Sequence, residues 1–169
     1  IYPGSDAAFD MMGELRELTL EAKARGLAVV VWSYPRGGDL SKEGETALDI
    51  IAYAAQMAAL MGAHVIKIKP PTEHLELAAA KRVYEAQGID AGTLTARIAH
   101  VMQSAFDGKR IVVFSGGAAK DLGGLYDEVR SLRDGGANGS IIGRNTFQRP
   151  RVEALAMLGQ VIKIYQGKA

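Results

Sequence analysis

Short runs of almost uninterrupted apolar residues alternate along this chain with stretches whose apolar positions recur at helical spacing. The first kind reads as a strand buried on both faces, the second as an amphipathic helix. Ser5 is placed to cap a helix carrying Phe9, Met12, Leu15 and Ala22 on one stripe, and Gly26 stops it. Ala28 to Tyr34 is a strand, followed by an Ala-rich helix from about Thr46 to Met61 closed by Gly62. His64-Val-Ile-Lys-Ile-Lys69 is the next strand, and Pro70-Pro71 ends it because proline cannot continue a ladder. Two helices are predicted in the long segment that follows, about Glu73 to Ala86 and Thr93 to Phe106, divided around Gly88. Arg110 to Ser115 is strand again and opens into Gly116-Gly117. Helix runs on to about Asp134, Ser140 to Gly143 is a short strand, and Arg151 to Tyr165 is the last helix.

Strand alternating with helix, without hairpin signals, predicts a parallel sheet covered by helices. A doubly wound sheet would be the open form, but no Gly-x-Gly-x-x-Gly fingerprint opens a helix after a strand. The polar residues instead gather at the C-terminal ends of the strands, where (β/α)8 barrels keep their sites. A complete barrel needs about 250 residues, and this chain has 169. The opening Ile1-Tyr2-Pro3-Gly4-Ser5 reads as the end of a further strand. The expected fold is therefore α/β: residues 1–169 as one domain forming the C-terminal half of a TIM (β/α)8 barrel. It would supply strands 5–8 and the end of strand 4, with an N-terminal half expected elsewhere.

Composition adds exclusions. Twenty basic and 19 acidic side chains leave a net charge of +1, which offers no electrostatic reason for nucleic acid or an acidic membrane as partner. No apolar run reaches the roughly 20 residues of a membrane span. There is no cysteine, so thiolate and disulfide chemistry are absent, and a cytoplasmic enzyme is the simplest expectation. His64, His74 and His100 match no zinc spacing, so neither a metal nor a cofactor is expected. His64 reads as a strand start, His74 and His100 as helix-surface residues.

Strand periodicity then sorts the polar residues. Side chains alternate faces, so Trp32 and Tyr34 share one side with Lys67 and Lys69, while Val31, Ser33, Ile66 and Ile68 face the helices. An ammonium aimed into a core is costly unless it is paired or neutral, and a neutral amine can form a Schiff base with a carbonyl. Lys67, deeper in the strand, is the candidate nucleophile. Lys69 reads equally well as a strand-end lysine reaching solvent. Tyr34 could relay protons, and Trp32 could wall the pocket, although an aromatic cap on the barrel core explains both as well. Arg36, in the loop beyond, reads as a solvated residue. Glycines at strand ends let backbone N–H groups close on a phosphate, which an arginine can clamp. Ser115, Gly116 and Gly117 after one strand, with Gly143 and Arg144 after the next, are the candidate phosphate site. That matches the phosphate loops frequent after strands 7 and 8 of such barrels.

These stretches resemble a known family. Val30-Val-Trp-Ser-Tyr-Pro-Arg-Gly-Gly38, Gly62-Ala-His-Val-Ile-Lys-Ile-Lys69, Phe114-Ser-Gly-Gly117 and Ile142-Gly-Arg-Asn-Thr-Phe-Gln-Arg149 are similar to the archaeal-type class I fructose-bisphosphate aldolases, over essentially the whole chain and in order. The resemblance implies a TIM barrel and a carbon–carbon lyase that cleaves fructose 1,6-bisphosphate reversibly to dihydroxyacetone phosphate and glyceraldehyde 3-phosphate, in glycolysis and gluconeogenesis. It implies a Schiff base on Lys67, proton handling by Tyr34, substrate holding by Trp32, phosphate binding at Ser115, Gly116, Gly117, Gly143 and Arg144, and a homo-oligomer. Two departures stand out. The acidic residue that the family carries on the first barrel strand has no counterpart here. The segment from Pro70 to Arg110 is longer than in the shorter archaeal members and resembles a bacterial subgroup with an extra helix. The alternatives are a related Schiff-base lyase or transferase acting on another phosphorylated ketose or dione, and a non-catalytic half-barrel subunit.

Overall fold

In the computed structural model, which describes residues 1–38, 40–116 and 121–169, four strands form one sheet in the order β1-β2-β3-β4. They are Val30–Trp32 (β1), Val65–Ile68 (β2), Ile111–Ser115 (β3) and Gly139–Ile141 (β4), and every neighbouring pair is parallel. The helices are Ala8–Ala24 (α1), Leu48–Leu60 (α2), Ala78–Gln87 (α3), Leu94–Ser104 (α4), Leu122–Asp134 (α5), Arg144–Phe147 (α6) and Arg151–Tyr165 (α7). Each strand is followed by helix, and α2, α4, α5 and α7 pack side by side over one face of the sheet.

The register explains the layering. Val31 pairs with Ile66 and Ile66 with Val112, while Ile68 pairs with Phe114. These residues all point to the helices and are buried. Opposite them, Ala52, Ala55, Ala58 and Ala59 of α2 are buried too, and their small side chains bring helix and sheet close. That closeness is visible at Ser33, whose buried hydroxyl donates to the Ala54 carbonyl at 2.8 Å and so has its polar atom satisfied. The other row, Trp32 with Lys67, Lys67 with Val113 and Val113 with Gly139, lies on the opposite face. Among the described residues no layer covers it: Val30 is 44%, Trp32 46% and Ile111 49% exposed. In a closed barrel this face is a packed interior. A four-stranded parallel sheet with helices outside and an open inner face is half of a (β/α)8 barrel.

Residues 1–3 extend the sheet beyond β1. The Ile1 and Pro3 carbonyls accept from Tyr34 N at 3.0 Å and Arg36 N at 3.2 Å, as the end of a neighbouring parallel strand would.

Three local expectations are corrected. Ser5 does not cap α1 with its side chain; Ala7 is the cap residue, and Ser5 contributes its carbonyl to Ala8 N. The helix predicted from Glu73 starts at Ala78. The reason is Asp49, a buried carboxylate on α2 that accepts from Glu76 N and Leu77 N at 3.0 Å each, while the His74 carbonyl accepts from Leu48 N at 2.9 Å. These bonds hold residues 72–77 extended against the start of α2. Finally, neither helix-surface histidine is one. His74 sits in that extended segment, and His100 is half-buried on α4 with Nε2 2.7 Å from the Tyr84 hydroxyl. Burial pushes the Tyr84 hydroxyl up to about 12 and lowers the His100 imidazole from its ordinary value.

The core makes a direct prediction. Phe114 is fully buried between sheet and helices, so Phe114→Ala is expected to cost about 3–5 kcal/mol in chemical denaturation; a loss below about 1 kcal/mol would mean the helix-facing layer is not the core.

Candidate active site

Parallel pairing puts the C-terminal ends of all four strands on one edge, and the polar residues of the inner face converge there. The Trp32–Lys67 pairing sets the ammonium of Lys67 5.1 Å from the centre of the indole, and the Tyr34 ring stands 5.9 Å away. Both contacts are within reach of a cation–π attraction. Lys67 is half-buried, and no carboxylate pairs with it among the described residues. Lys69, two residues on, is held differently: its Nζ lies 2.9 Å from Glu45 Oε2. The other oxygen of Glu45 takes Lys42 at 3.1 Å. Hydrogen bonds from Lys69 first, and then from Lys42, keep the Glu45 carboxyl below its ordinary value.

Beside these residues runs a cleft of about 610 Å³. Its cations are Arg36, Lys42, Lys67, Lys69 and Arg144, against the carboxylates of Glu45 and Glu128. Such a surplus suits a ligand carrying phosphates. Tyr34, Ser115, Gly116 and Gly143 also line it, so residues from the loops after β3 and β4 border the same cleft as Lys67. Those two loops are stapled by Asn145, which is buried and donates from Nδ2 to the Gly116 carbonyl at 3.1 Å. A Cβ on Gly116 would stand 3.1 Å from Ile142 Cγ2, so the close approach favours glycine there. Gly117 lies outside the described residues. Arg36 is more than a solvated loop residue, since its guanidinium faces the rings of Tyr2 and Tyr34, 5.9 Å from each. Among the described residues no group of three or more His, Asp or Glu side chains could hold a metal ion.

Sequence reasoning missed Glu45, Glu76 and Asn145. Glu76 accepts from Ser41 N and Ser41 Oγ, both at 2.8 Å, and meets His74 Nε2 at 2.9 Å. It thereby clasps the loop after β1 to the loop after β2. A signal for Glu45 existed: two lysines on one inner face call for a carboxylate, and the loop after β1 is rich in them.

A family model for the DeoC/LacD aldolases matches residues 1–149. Among relatives, the class 1 fructose-bisphosphate aldolase of Thermoproteus tenax is 34% identical over 150 residues, 88% of this chain and 48% of that one. The fructose-bisphosphate aldolase/6-deoxy-5-ketofructose 1-phosphate synthase of Methanocaldococcus jannaschii is 30% identical over 171 residues, the whole of this chain and 48% of that one. An archaeal fructose-1,6-bisphosphate aldolase, solved with its catalytic lysine covalently bound to the carbinolamine intermediate of the substrate, superposes with a TM-score of 0.76 at 30% identity. That match covers 98% of this chain and 55% of the other. The chain belongs to the DeoC/LacD family of aldolases, and within it is similar to the class 1 fructose-bisphosphate aldolases. It spans about half the length of the relatives it matches.

The clasp predicts a pH dependence. Hydrogen bonds from Ser41 N, His74 and the Ser41 hydroxyl hold the Glu76 carboxyl below its usual 4.5. A carboxyl lowered in the folded state stabilises fully above its unfolded value and loses that contribution as pH falls through the folded one. Denaturation midpoints should therefore drop from about pH 4.5 downward, and Glu76→Gln should flatten that part of the profile; an unchanged slope would remove the clasp from the account.

Proposed function

We propose that this chain carries the Schiff-base half of a class I fructose-bisphosphate aldolase. The observation that carries the reading is Lys67: an amine on the inner face of a strand, set against Trp32 and Tyr34 and beside a cationic cleft, with no carboxylate tying it down among the described residues. The covalent lysine adduct in the matched archaeal structure supports it.

Lys67 Nζ attacks the ketone carbon of fructose 1,6-bisphosphate, and loss of water leaves an iminium. That cation is an electron sink: the C3–C4 bonding pair flows toward nitrogen as the C4 hydroxyl gives up its proton, and glyceraldehyde 3-phosphate departs. Tyr34 returns a proton to the enamine carbon, and hydrolysis frees dihydroxyacetone phosphate and the amine. Because the protonated imine takes up the electrons, the step needs no metal and no cofactor. Trp32 holds the lysine and substrate in place. Ser115, Gly116, Gly143 and Arg144, with Gly117 in the same loop, bind one phosphate.

The open inner face supports a second part of the proposal. Residues 1–169 act as the C-terminal half of the barrel, and a second half-barrel covers Val30, Trp32 and Ile111. That half would bring the acidic residue the resemblance places on the first strand, to receive the C4 hydroxyl proton. The completed enzyme is a cytoplasmic homo-oligomer serving glycolysis and gluconeogenesis. Among the described residues, no helix is long and apolar enough to cross a membrane.

The double name of the Methanocaldococcus jannaschii relative favours one further reading, Schiff-base chemistry on another phosphorylated ketose or dione. Turnover of fructose 1,6-bisphosphate against fructose 1-phosphate separates the two. For either, Lys67→Ala should abolish the adduct trapped by borohydride, and Tyr34→Phe should lower kcat by about 10²–10⁴-fold. An adduct that survives in Lys67→Ala, or activity lost to a chelator, contradicts the mechanism.

A further inference from the structure

Lys67 and Lys69 are the same chemical group, two residues apart on one strand face, roughly 6.6 Å apart along the chain, and both line the cleft. Composition cannot tell them apart. Their partners can. We propose that Glu45 is a positioning residue that selects the nucleophile, tethering Lys69 as an ammonium so that Lys67 alone is free to attack the carbonyl. The proposal rests on the Schiff-base reading above.

An ammonium that donates to a carboxylate has no lone pair to offer, and losing its proton forfeits a charge-assisted bond. Lys69 is in that condition, 2.9 Å from Glu45, in a pair whose side chains are only 21% and 19% exposed. Little water is present to compensate if the pair breaks. Lys67 instead faces two aromatic rings. Their attraction for positive charge persists when the amine becomes an iminium, because the charge stays on nitrogen. At Lys69, imine formation would leave one N–H of three and crowd the nitrogen with carbon, so the bond to Glu45 would have to be broken or rebuilt.

The carboxylate is also fixed in position. Glu45 belongs to the single 3₁₀ turn Gly44–Thr46. On one side, Gly44 is packed so tightly on Glu76 that a Cβ would lie 2.5 Å from Glu76 Cδ, and Gly44 N donates to Ser41 Oγ at 2.9 Å. On the other, the Thr46 carbonyl accepts from Thr72 N at 2.8 Å and Thr72 Oγ1 at 3.1 Å. The turn is held on both sides by the segment after β2 and from within its own loop by Ser41, so Glu45 is not a surface acid that happens to reach a lysine. Its second oxygen takes the exposed Lys42 at 3.1 Å.

The test maps the trapped adduct. The native protein, with whatever completes its barrel, is incubated with dihydroxyacetone phosphate and borohydride. Amine and ketone condense with loss of water, hydride reduces the imine, and peptide mass spectrometry locates the resulting secondary amine. The wild type should carry it on Lys67 alone. In Glu45→Gln, which keeps the shape and removes the charge, a measurable share should move to Lys69 and kcat should fall about tenfold with KM changed far less. Glu45→Asp, which keeps a carboxylate, should return the label to Lys67. A label that stays wholly on Lys67 in Glu45→Gln, at unchanged kcat, overturns the role of Glu45 and leaves the Schiff-base reading standing. A wild type labelled on neither lysine overturns that reading, and the proposal with it.

Discussion

Two lysines project from the inner face of β2, and among the described residues the Glu45 carboxylate holds one of them. The asymmetry between Lys67 and Lys69 organises this end of the sheet. It needs the parallel register, which places Trp32 directly beside Lys67. It needs the loop after β1 to fold back over the strand ends, so that Glu45 meets Lys69 from above. It also needs the inner face to be sealed from water, because a charge arrangement of this kind weakens steeply in high dielectric. In the half-barrel that face is open, and this explains why an apolar surface so large is tolerable only if something covers it.

The outer layer supplies rigidity. Ala-rich α2 lies close on the sheet, and its N-terminal Asp49 reaches out to the amides of Glu76 and Leu77. Those amides lead into a segment whose Glu76 grips Ser41, and Ser41 in turn braces the turn that carries Glu45. A chain of polar contacts, part-buried at Asp49 and exposed at Ser41, thus connects a core helix to the cleft. Together these links limit where the carboxylate can stand.

Periodicity made much of this legible. The alternation in His64-Val-Ile-Lys-Ile-Lys69 separates helix-facing isoleucines from cleft-facing lysines, and burial follows that division: Ile66 and Ile68 are fully buried, Lys67 and Lys69 are not. Gly116, Gly143 and Arg144 border the same cleft as Lys67. What periodicity does not carry is any contact between distant loops. Asp49 to Glu76 spans 27 residues, Glu45 to Lys69 spans 24 and Ser41 to Glu76 spans 35. Local propensity favoured a helix from Glu73, and the Asp49 carboxylate overrode it. Ser5 looked like a cap for a similar reason: residue type suggested the role, and the backbone turn at Ala7 placed the cap elsewhere.

The central claim, that Lys67 captures a phosphorylated ketose at this edge of the sheet, is tested most directly by a crystal structure of the native protein soaked with fructose 1,6-bisphosphate. The account predicts density continuous from Lys67 Nζ to the C2 carbon, with a phosphate lodged between Ser115 and Arg144 and Lys69 still on Glu45. Continuous density at Lys69, or a sugar phosphate bound away from the β2 strand end with Lys67 unmodified, would contradict it.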